Sequence, residues 1–394
     1  MKILILHSEL GVLRGGGENY TRNLFSEFLK RGHQVSAAFI SGPDGKYALP
    51  IPAGIEPIPI PGRWSRKFGQ VTLSKIGEYL SGNNWVKTYW DRGQESLCWR
   101  TVRWHACRFQ RRIERDLAKR WQEFDAVYVH GDPSLASTVA SFRPTVLFLP
   151  GPVGAQYAPA LRMVHVVCAH GDALVRTREL VGDMAIELSI GVDSQVFSPG
   201  VISVRAGLGW TTQHRVLGYV GRLAYVKGVD LLATAFRDLS RTVPDVRLLI
   251  VGSGEEEGKI RSILAKELAQ GLVYFESNVS HQRLAEWYRA MDLFVLPSRY
   301  ENYANVILEA LACGVPFLAS DVGGNSMLGE TGAGWLFEAG SVSSLSESLS
   351  NILQTPSEMM ARGAIGCDFV HEHHSWAASA AQLECIIESL FRGE

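Results

Sequence analysis

The stretch Pro297-Ser298-Arg299-Tyr300-Glu301-Asn302-Tyr303-Ala304-Asn305-Val306-Ile307-Leu308-Glu309-Ala310-Leu311-Ala312-Cys313-Gly314-Val315-Pro316 decides how this chain is read. The apolar run Leu293-Phe294-Val295-Leu296 before it has the length of a buried strand. A polar loop follows, and then Val306, Ile307, Leu308, Ala310 and Leu311 predict a helix. Gly314 is placed to end that helix, and Pro316 cannot extend it. Glu301 is thereby expected in a loop at the carboxyl end of a strand, and Glu309 about two turns into the helix. Asn305 and Glu309 are four apart and share a helix face. Carboxylates accept hydrogen bonds from vicinal hydroxyls, and a helix N-terminus offers free N–H groups to a phosphate. The plainer alternative is a surface loop with a solvated helical Glu.

The pattern repeats along the chain. Ile3 to Leu6 predicts a strand, Gly11 to Gly17 a glycine-rich loop, Glu18 to Lys30 a helix and Val35 to Ile40 a strand, which is the start of a doubly wound sheet. The spacing departs from G-x-G-x-x-G, because Tyr20 holds the third place. Ile55 to Ile60 predicts a short strand among prolines, and Phe124 to His130 a strand that ends at His130. Further strands are expected at Thr145 to Leu149, Val164 to Ala169, Val216 to Val220, Val246 to Val251, 272–276 and Phe317 to Ala319, and helices at 256–269, 281–290, 342–353 and 357–371. Arg222 and Lys227 follow the strand Val216 to Val220, at the edge where open α/β sheets bind ligands. Arg offers a planar fork to phosphate and Lys a point charge.

A chain of 394 residues exceeds one ordinary core. Its net charge of −1 argues against nucleic acid as a partner. Six cysteines without a C-x-x-C pair fit reduced thiols and a cytoplasmic setting. The apolar run at the N-terminus is too short for a signal peptide. Residues 62–123 stand apart, with six of the ten tryptophans and fourteen Lys and Arg against six Asp and Glu. Leu97 to Trp121 predicts a helix with Trp99, Val102, Ala106, Phe109, Ile113, Leu117 and Trp121 on one face. That stripe fits packing on the first domain. It also fits a platform for an anionic or lipid-linked acceptor at the inner face of a membrane. His371-Glu372-His373-His374 lacks H-E-x-x-H spacing and is expected to be a solvated hinge.

The stretch 297–316 resembles the Glu-x7-Glu region of retaining GT-B glycosyltransferases, in particular glycosyltransferase family 4. Pro-Ser precedes the first Glu, and Glu-Ala-x-Ala-x-Gly-x-Pro runs on from the second. Asn302-Tyr303-Ala304 replaces the usual Gly-Phe-Gly, Ile190 replaces an Asn in the family's N-G-V-D, and Met327 stands where the family often has Glu. The G-R-L-x3-K-G form of Gly221 to Gly228 is similar to the family's diphosphate motif, and Gly15 to Glu18 to its Gly-Gly-x-Glu loop.

The resemblance implies an α/β GT-B fold of two Rossmann-like domains facing a central cleft. The first, 1–198, carries the insertion 62–123 and receives the C-terminal helix 375–394. The second, 199–374, binds the nucleotide sugar. It further implies transfer of a hexosyl-type sugar from a UDP- or GDP-sugar to a sugar, lipid-linked or small-molecule acceptor with retention, and neither metal nor cofactor. Arg222 and Lys227 would meet the diphosphate, with Gly16 and Gly17 near the donor phosphate. Glu309 would meet the ribose, and Glu301 with Asn302, Tyr303, Ala304 and Asn305 the donor sugar. His130 would face the acceptor. The alternatives are another GT-B activity, such as a nucleotide-sugar epimerase, and a non-catalytic nucleotide-sugar-binding subunit.

Overall fold

The computed structural model describes residues 1–10, 16–41, 50–61, 109–201, 204–277 and 279–392. The chain forms two compact units, Met1–Gly191 with Trp376–Glu394, and Val192–Ser375.

The first unit is built on seven parallel strands: β1 (Lys2–Leu6), β2 (Gln34–Ser41), β3 (Ile55–Pro61), β4 (Ala126–His130), β5 (Thr145–Leu149), β6 (Val166–Ala169) and β7 (Ala185–Glu187). Their order is β3-β2-β1-β4-β5-β6-β7, so the winding reverses between β1 and β4. Side chains alternate between faces, and both faces are covered, so strands such as Ile3-Leu4-Ile5-Leu6 are buried throughout. β3 is an edge strand whose Pro57, Pro59 and Pro61 fall at alternate positions. Their missing N–H groups therefore lie on one side, and edge strands tolerate proline where that side faces outward.

The helix Trp376–Arg392 packs on the helix Gly16–Lys30. Trp376 meets the Tyr20 ring edge-on at 5.4 Å. Arg31 Nε and His33 Nε2 each lie 2.8 Å from a Glu384 carboxylate oxygen. Gly191 runs so close to Trp376 that a Cβ there would sit 2.4 Å from its backbone nitrogen.

The second unit has six parallel strands: β8 (Arg215–Val220), β9 (Val246–Val251), β10 (Val273–Glu276), β11 (Leu293–Leu296), β12 (Phe317–Ser320) and β13 (Gly334–Phe337). The order β10-β9-β8-β11-β12-β13 is the same winding as before, reversing between β8 and β11.

Several sequence expectations are corrected. The unit boundary falls at Gly191–Val192 rather than near 198, because Val192 N–H donates to His374 O at 2.8 Å and Phe197 packs on Tyr288. The glycine-rich loop does not reach Gly17, because the helix already starts at Gly16. The helix expected over 97–121 falls partly outside the described residues. Its described part ends at 116, and Trp121 opens a 3-10 turn and stacks on Phe142 at 5.6 Å. Helix 256–269 is two helices, Glu257–Ile263 and Ala265–Ala269, joined at Leu264. Residues 281–290 form a 3-10 turn followed by the helix Leu284–Tyr288. His374 is buried against Phe369 and Tyr303, not solvated, since it closes the helix Pro356–His373.

Phe109, Ile113, Leu117 and Trp121 are all buried in the first unit's core, with Leu4, Leu6, Val127 and Val129. The described half of the Trp99-to-Trp121 stripe is therefore used in folding. No helix among the described residues is long and apolar enough to cross a membrane.

Two glycines test the packing directly. Gly228 has φ +65°, and a Cβ there would lie 1.9 Å from Pro297 O. Gly258 has no atom within 4 Å of such a Cβ, and it lies in a helix. Gly228→Ala is expected to destabilise the second unit by at least about 2 kcal/mol. Gly258→Ala should stabilise it by up to about 1 kcal/mol. Urea unfolding of both variants checks this; equal effects would contradict the packing.

Candidate functional site

The reversal between β8 and β11 brings two loops together in the second unit. β8 runs into Gly221-Arg222-Leu223, then a 3-10 turn Tyr225–Lys227, then the left-handed Gly228 and the helix Val229–Leu239. β11 runs into Pro297-Ser298-Arg299-Tyr300-Glu301, then the helix Asn305–Ala312. The two loops are fastened at several points. Arg299 N–H donates to Val226 O at 2.8 Å. The Arg299 guanidinium stacks over Tyr225 at 4.1 Å and forks onto both Asp230 oxygens at 2.9 and 3.0 Å. Lys259 Nζ is the second cation on Asp230, at 2.9 Å. Arg299 is thus spent on holding the loops.

Across this seam Lys227 Nζ donates to Glu301 Oε2. Ser298, fully buried, also donates to that oxygen at 3.3 Å. One Lys227 N–H is committed to Glu301, and an ammonium has three. Arg222 is exposed and makes no ion pair or side-chain hydrogen bond among the described residues. Its carbonyl accepts from the Tyr219 hydroxyl at 2.8 Å, which fixes the backbone while leaving the guanidinium free to turn.

Glycines carry the close contacts around the seam. Gly252 has φ +142°, and a Cβ there would be 1.9 Å from Gly221 O. A Cβ at Gly324 would be 2.2 Å from Asn302 O, so the N-terminus of the helix Gly324–Gly329 presses on the Glu301 loop. Ala304 is buried, while Asn302, Tyr303 and Asn305 keep partial exposure.

Glu309 lies about one turn into its helix, closer to the start than the two turns expected, because the loop runs on to Ala304. Its Oε2 accepts from the Tyr288 hydroxyl at 2.7 Å. Burial pushes the carboxyl up to about 7, and the Tyr288 hydrogen bond opposes that rise. Part of the residue remains accessible.

The first unit has its own cluster at the matching reversal, where β1 and β4 end. His7 and His130 stack with ring centroids 4.0 Å apart. Thr21 Oγ1 sits between their Nδ1 atoms, at 3.2 and 3.1 Å, and 3.1 Å from Gly17 O. The hydroxyl has one proton. If Gly17 O takes it, both Nδ1 atoms carry hydrogen and each Nε2 presents its lone pair. A Cβ at Gly17 would lie 2.7 Å from His130 Nε2, so only glycine admits the imidazole there. Burial, then the Arg22 charge, lowers His7 to about 3; burial, then His7 and His170, holds His130 well below its usual range. Both rings are neutral at neutral pH. Burial, then Glu18, raises Glu9 to about 7.

The structure therefore brings Arg222, Lys227, Glu301 and Glu309 to one edge of the second sheet, and Gly17 and His130 to the corresponding edge of the first. Three contributors escaped the sequence reading. His7 directly follows β1 as His130 ends β4, a parallel visible in the sequence. Thr21 and Tyr288 carried no local sign, since each becomes relevant only through a tertiary hydrogen bond.

Residues 203–365 match the family of glycosyl transferases group 1. That match lies within the second unit. Similar proteins include a GDP-mannose-dependent monoacylated alpha-(1-6)-phosphatidylinositol monomannoside mannosyltransferase of Corynebacterium glutamicum, 34% identical over 213 residues, covering 51% of this chain and 55% of that protein. A D-inositol 3-phosphate glycosyltransferase of Segniliparus rotundus is 31% identical over 210 residues, covering 52% and 46%. The chain spans about half the length of the curated relatives it matches. Among solved structures, sucrose-phosphate synthase from Thermosynechococcus elongatus matches all of both chains with TM-score 0.75 at 20% identity. WaaG, a glycosyltransferase involved in lipopolysaccharide biosynthesis, matches 98% of this chain and 99% of its own with TM-score 0.70 at 17% identity. The fold is the α/β GT-B fold of these structures.

The raised Glu309 value has a stability consequence. Its folded value, about 7, lies above the ordinary 4.5. The folded chain thus holds a proton that the unfolded chain has released between these values. The group's contribution is fully present below pH 4.5 and is lost as pH rises through 7. Glu309→Gln should remove a decline on the order of 2 kcal/mol between pH 5 and 7.5. Urea unfolding at the two pH values checks this, and identical slopes in variant and wild type would contradict the buried carboxyl.

Proposed function

We propose that this chain is a glycosyltransferase that moves a hexosyl-type sugar from a UDP- or GDP-sugar to an acceptor hydroxyl with retention of configuration. The observation that carries the reading is the Lys227–Glu301 pair at the β8/β11 reversal, with the exposed Arg222 beside it, inside the family-matched residues. A leaving diphosphate gains negative charge as its bond to the sugar breaks, and fixed cations stabilise that charge. Arg222 and the remaining donors of Lys227 take this role, so the reading assigns no part to a metal ion or cofactor. Glu301, anchored by Lys227 and Ser298, accepts from the donor sugar's hydroxyls, with Asn302, Tyr303, Ala304 and Asn305 around it. Glu309 accepts from the ribose.

The acceptor is assigned to the first unit, where Gly16 and Gly17 open the first helix and neutral His130 can accept from an acceptor hydroxyl. The departing phosphate oxygen takes the acceptor's proton, and the new bond forms on the face that the diphosphate leaves. The names of the relatives support a sugar, lipid-linked or other hydroxyl-bearing acceptor. A nucleotide-sugar epimerase and a non-catalytic nucleotide-sugar-binding subunit are the alternatives.

Arg222→Ala and Lys227→Ala should each lower release of nucleoside diphosphate from donor and acceptor about a hundredfold. Near-normal turnover in both variants would remove these residues from the site. Glu309→Gln should weaken binding of the bare nucleoside diphosphate. Glu301→Gln should spare that binding and impair transfer. Calorimetry separates the two, and equal losses would refute the division between ribose and sugar.

Membrane contact through 97–121 rests chiefly on cations, since the described half of its apolar stripe is buried. Arg111, Arg115 and Lys119 are exposed there. Each cation near an anionic bilayer contributes about 1 kcal/mol. Flotation with anionic vesicles at low salt should weaken when these three are changed to Gln. Wild type that fails to float would leave a soluble acceptor.

A further inference from the structure

We propose that Tyr288 is the positioning residue of the nucleotide site: it occupies one oxygen of Glu309 and so aims the other at the ribose diol. The inference rests on the assignment of Glu309 to the ribose. The Tyr288 hydroxyl donates to Glu309 Oε2 at 2.7 Å, whereas Oε1 makes no hydrogen bond among the described residues. Tyr288 is fully buried, and Glu309 keeps part of its surface open. The closed side of the carboxylate therefore faces the phenol, and the unoccupied oxygen is the one available to a ligand.

The phenol itself has little freedom. Its ring meets Phe294 of β11 edge-on at 5.8 Å, 66° between planes, and Phe197 at 5.9 Å, 71°. Phe197 and Phe294 are both fully buried. Edge-to-face rings packed at interior density leave one rotamer for the tyrosine. Phe294 also belongs to the strand that leads into the Glu301 loop, so one packed layer sets both carboxylates. A carboxylate held at one oxygen cannot spin about its terminal torsion without losing a charge-assisted hydrogen bond. Without the hydroxyl, the side chain would keep its place on the helix and lose its aim. Selectivity for ribose would then suffer more than affinity for the rest of the nucleotide.

The test compares binding of UDP and GDP with their 2′,3′-dideoxy analogues by calorimetry above pH 7, where Glu309 is ionised, in the whole chain as wild type, Tyr288→Phe, Glu309→Gln and the double variant. Wild type should prefer the ribonucleotide by about tenfold or more, as expected for a hydrogen bond to a charged acceptor. Tyr288→Phe should weaken ribonucleotide binding about tenfold and leave the dideoxy analogue nearly unchanged, so that the preference collapses. Adding Tyr288→Phe to Glu309→Gln should change the preference no further. A wild-type preference retained in Tyr288→Phe would overturn the proposal while leaving the ribose assignment intact. No preference in wild type would instead sink the ribose assignment on which the proposal stands. If Tyr288→Phe gives no folded protein, Phe197→Leu loosens the same ring with the hydroxyl retained. A reduced preference there supports the proposal, and a wild-type preference contradicts it.

Discussion

Lys227 and Glu301 meet because the strand order reverses between β8 and β11. Strands adjacent in space but distant in sequence place their carboxyl-terminal loops side by side, and the helices that follow them leave on opposite faces of the sheet. The opening between those loops is fixed by backbone geometry before any side chain is chosen. A cation from one loop and a carboxylate from the other then close on each other. Much of the surrounding structure in the second unit keeps that spacing.

Two kinds of support hold it. One is charge spent on structure: Asp230 gathers Arg299 and Lys259, and Arg299 ties its own loop to Tyr225 and Val226. The other is the absence of side chains. Gly228, Gly252 and Gly324 each let one backbone press on another at distances no Cβ could occupy. The first unit uses the same logic, with Gly17 lying on the His130 ring and the Thr21 hydroxyl bridging two neutral imidazoles. Burial keeps those rings uncharged, so this cluster offers hydrogen-bond acceptors rather than positive charge.

Much of this was legible in the sequence. Short apolar runs, followed within a few residues by His, Gly, Arg, Lys or Glu, marked the strands at whose carboxyl ends the candidate residues lie, because parallel strands buried on both faces need continuous apolar residues. The short strand Ile55 to Ile60 was readable among its prolines, and the structure adds that those prolines fall at alternate positions on an edge strand. What stayed hidden depended on contacts across the fold. β13, Gly334–Phe337, is too short for periodicity to declare it. The apolar pattern runs on through Leu264 and past 116, where the helices end. The stripe from Phe109 to Trp121 had two readings, core or surface, and only tertiary structure separates them. Nothing local in the sequence marks Tyr288, because its hydroxyl matters only through the tertiary contact with Glu309.

The most direct measurement of the central claim is a crystal structure of the full chain with UDP or GDP bound. The account predicts the diphosphate oxygens within about 3 Å of Lys227 Nζ and the Arg222 guanidinium, and the ribose diol on Glu309 Oε1. A nucleotide bound with its diphosphate elsewhere, leaving Lys227, Arg222 and Glu309 untouched, would contradict it.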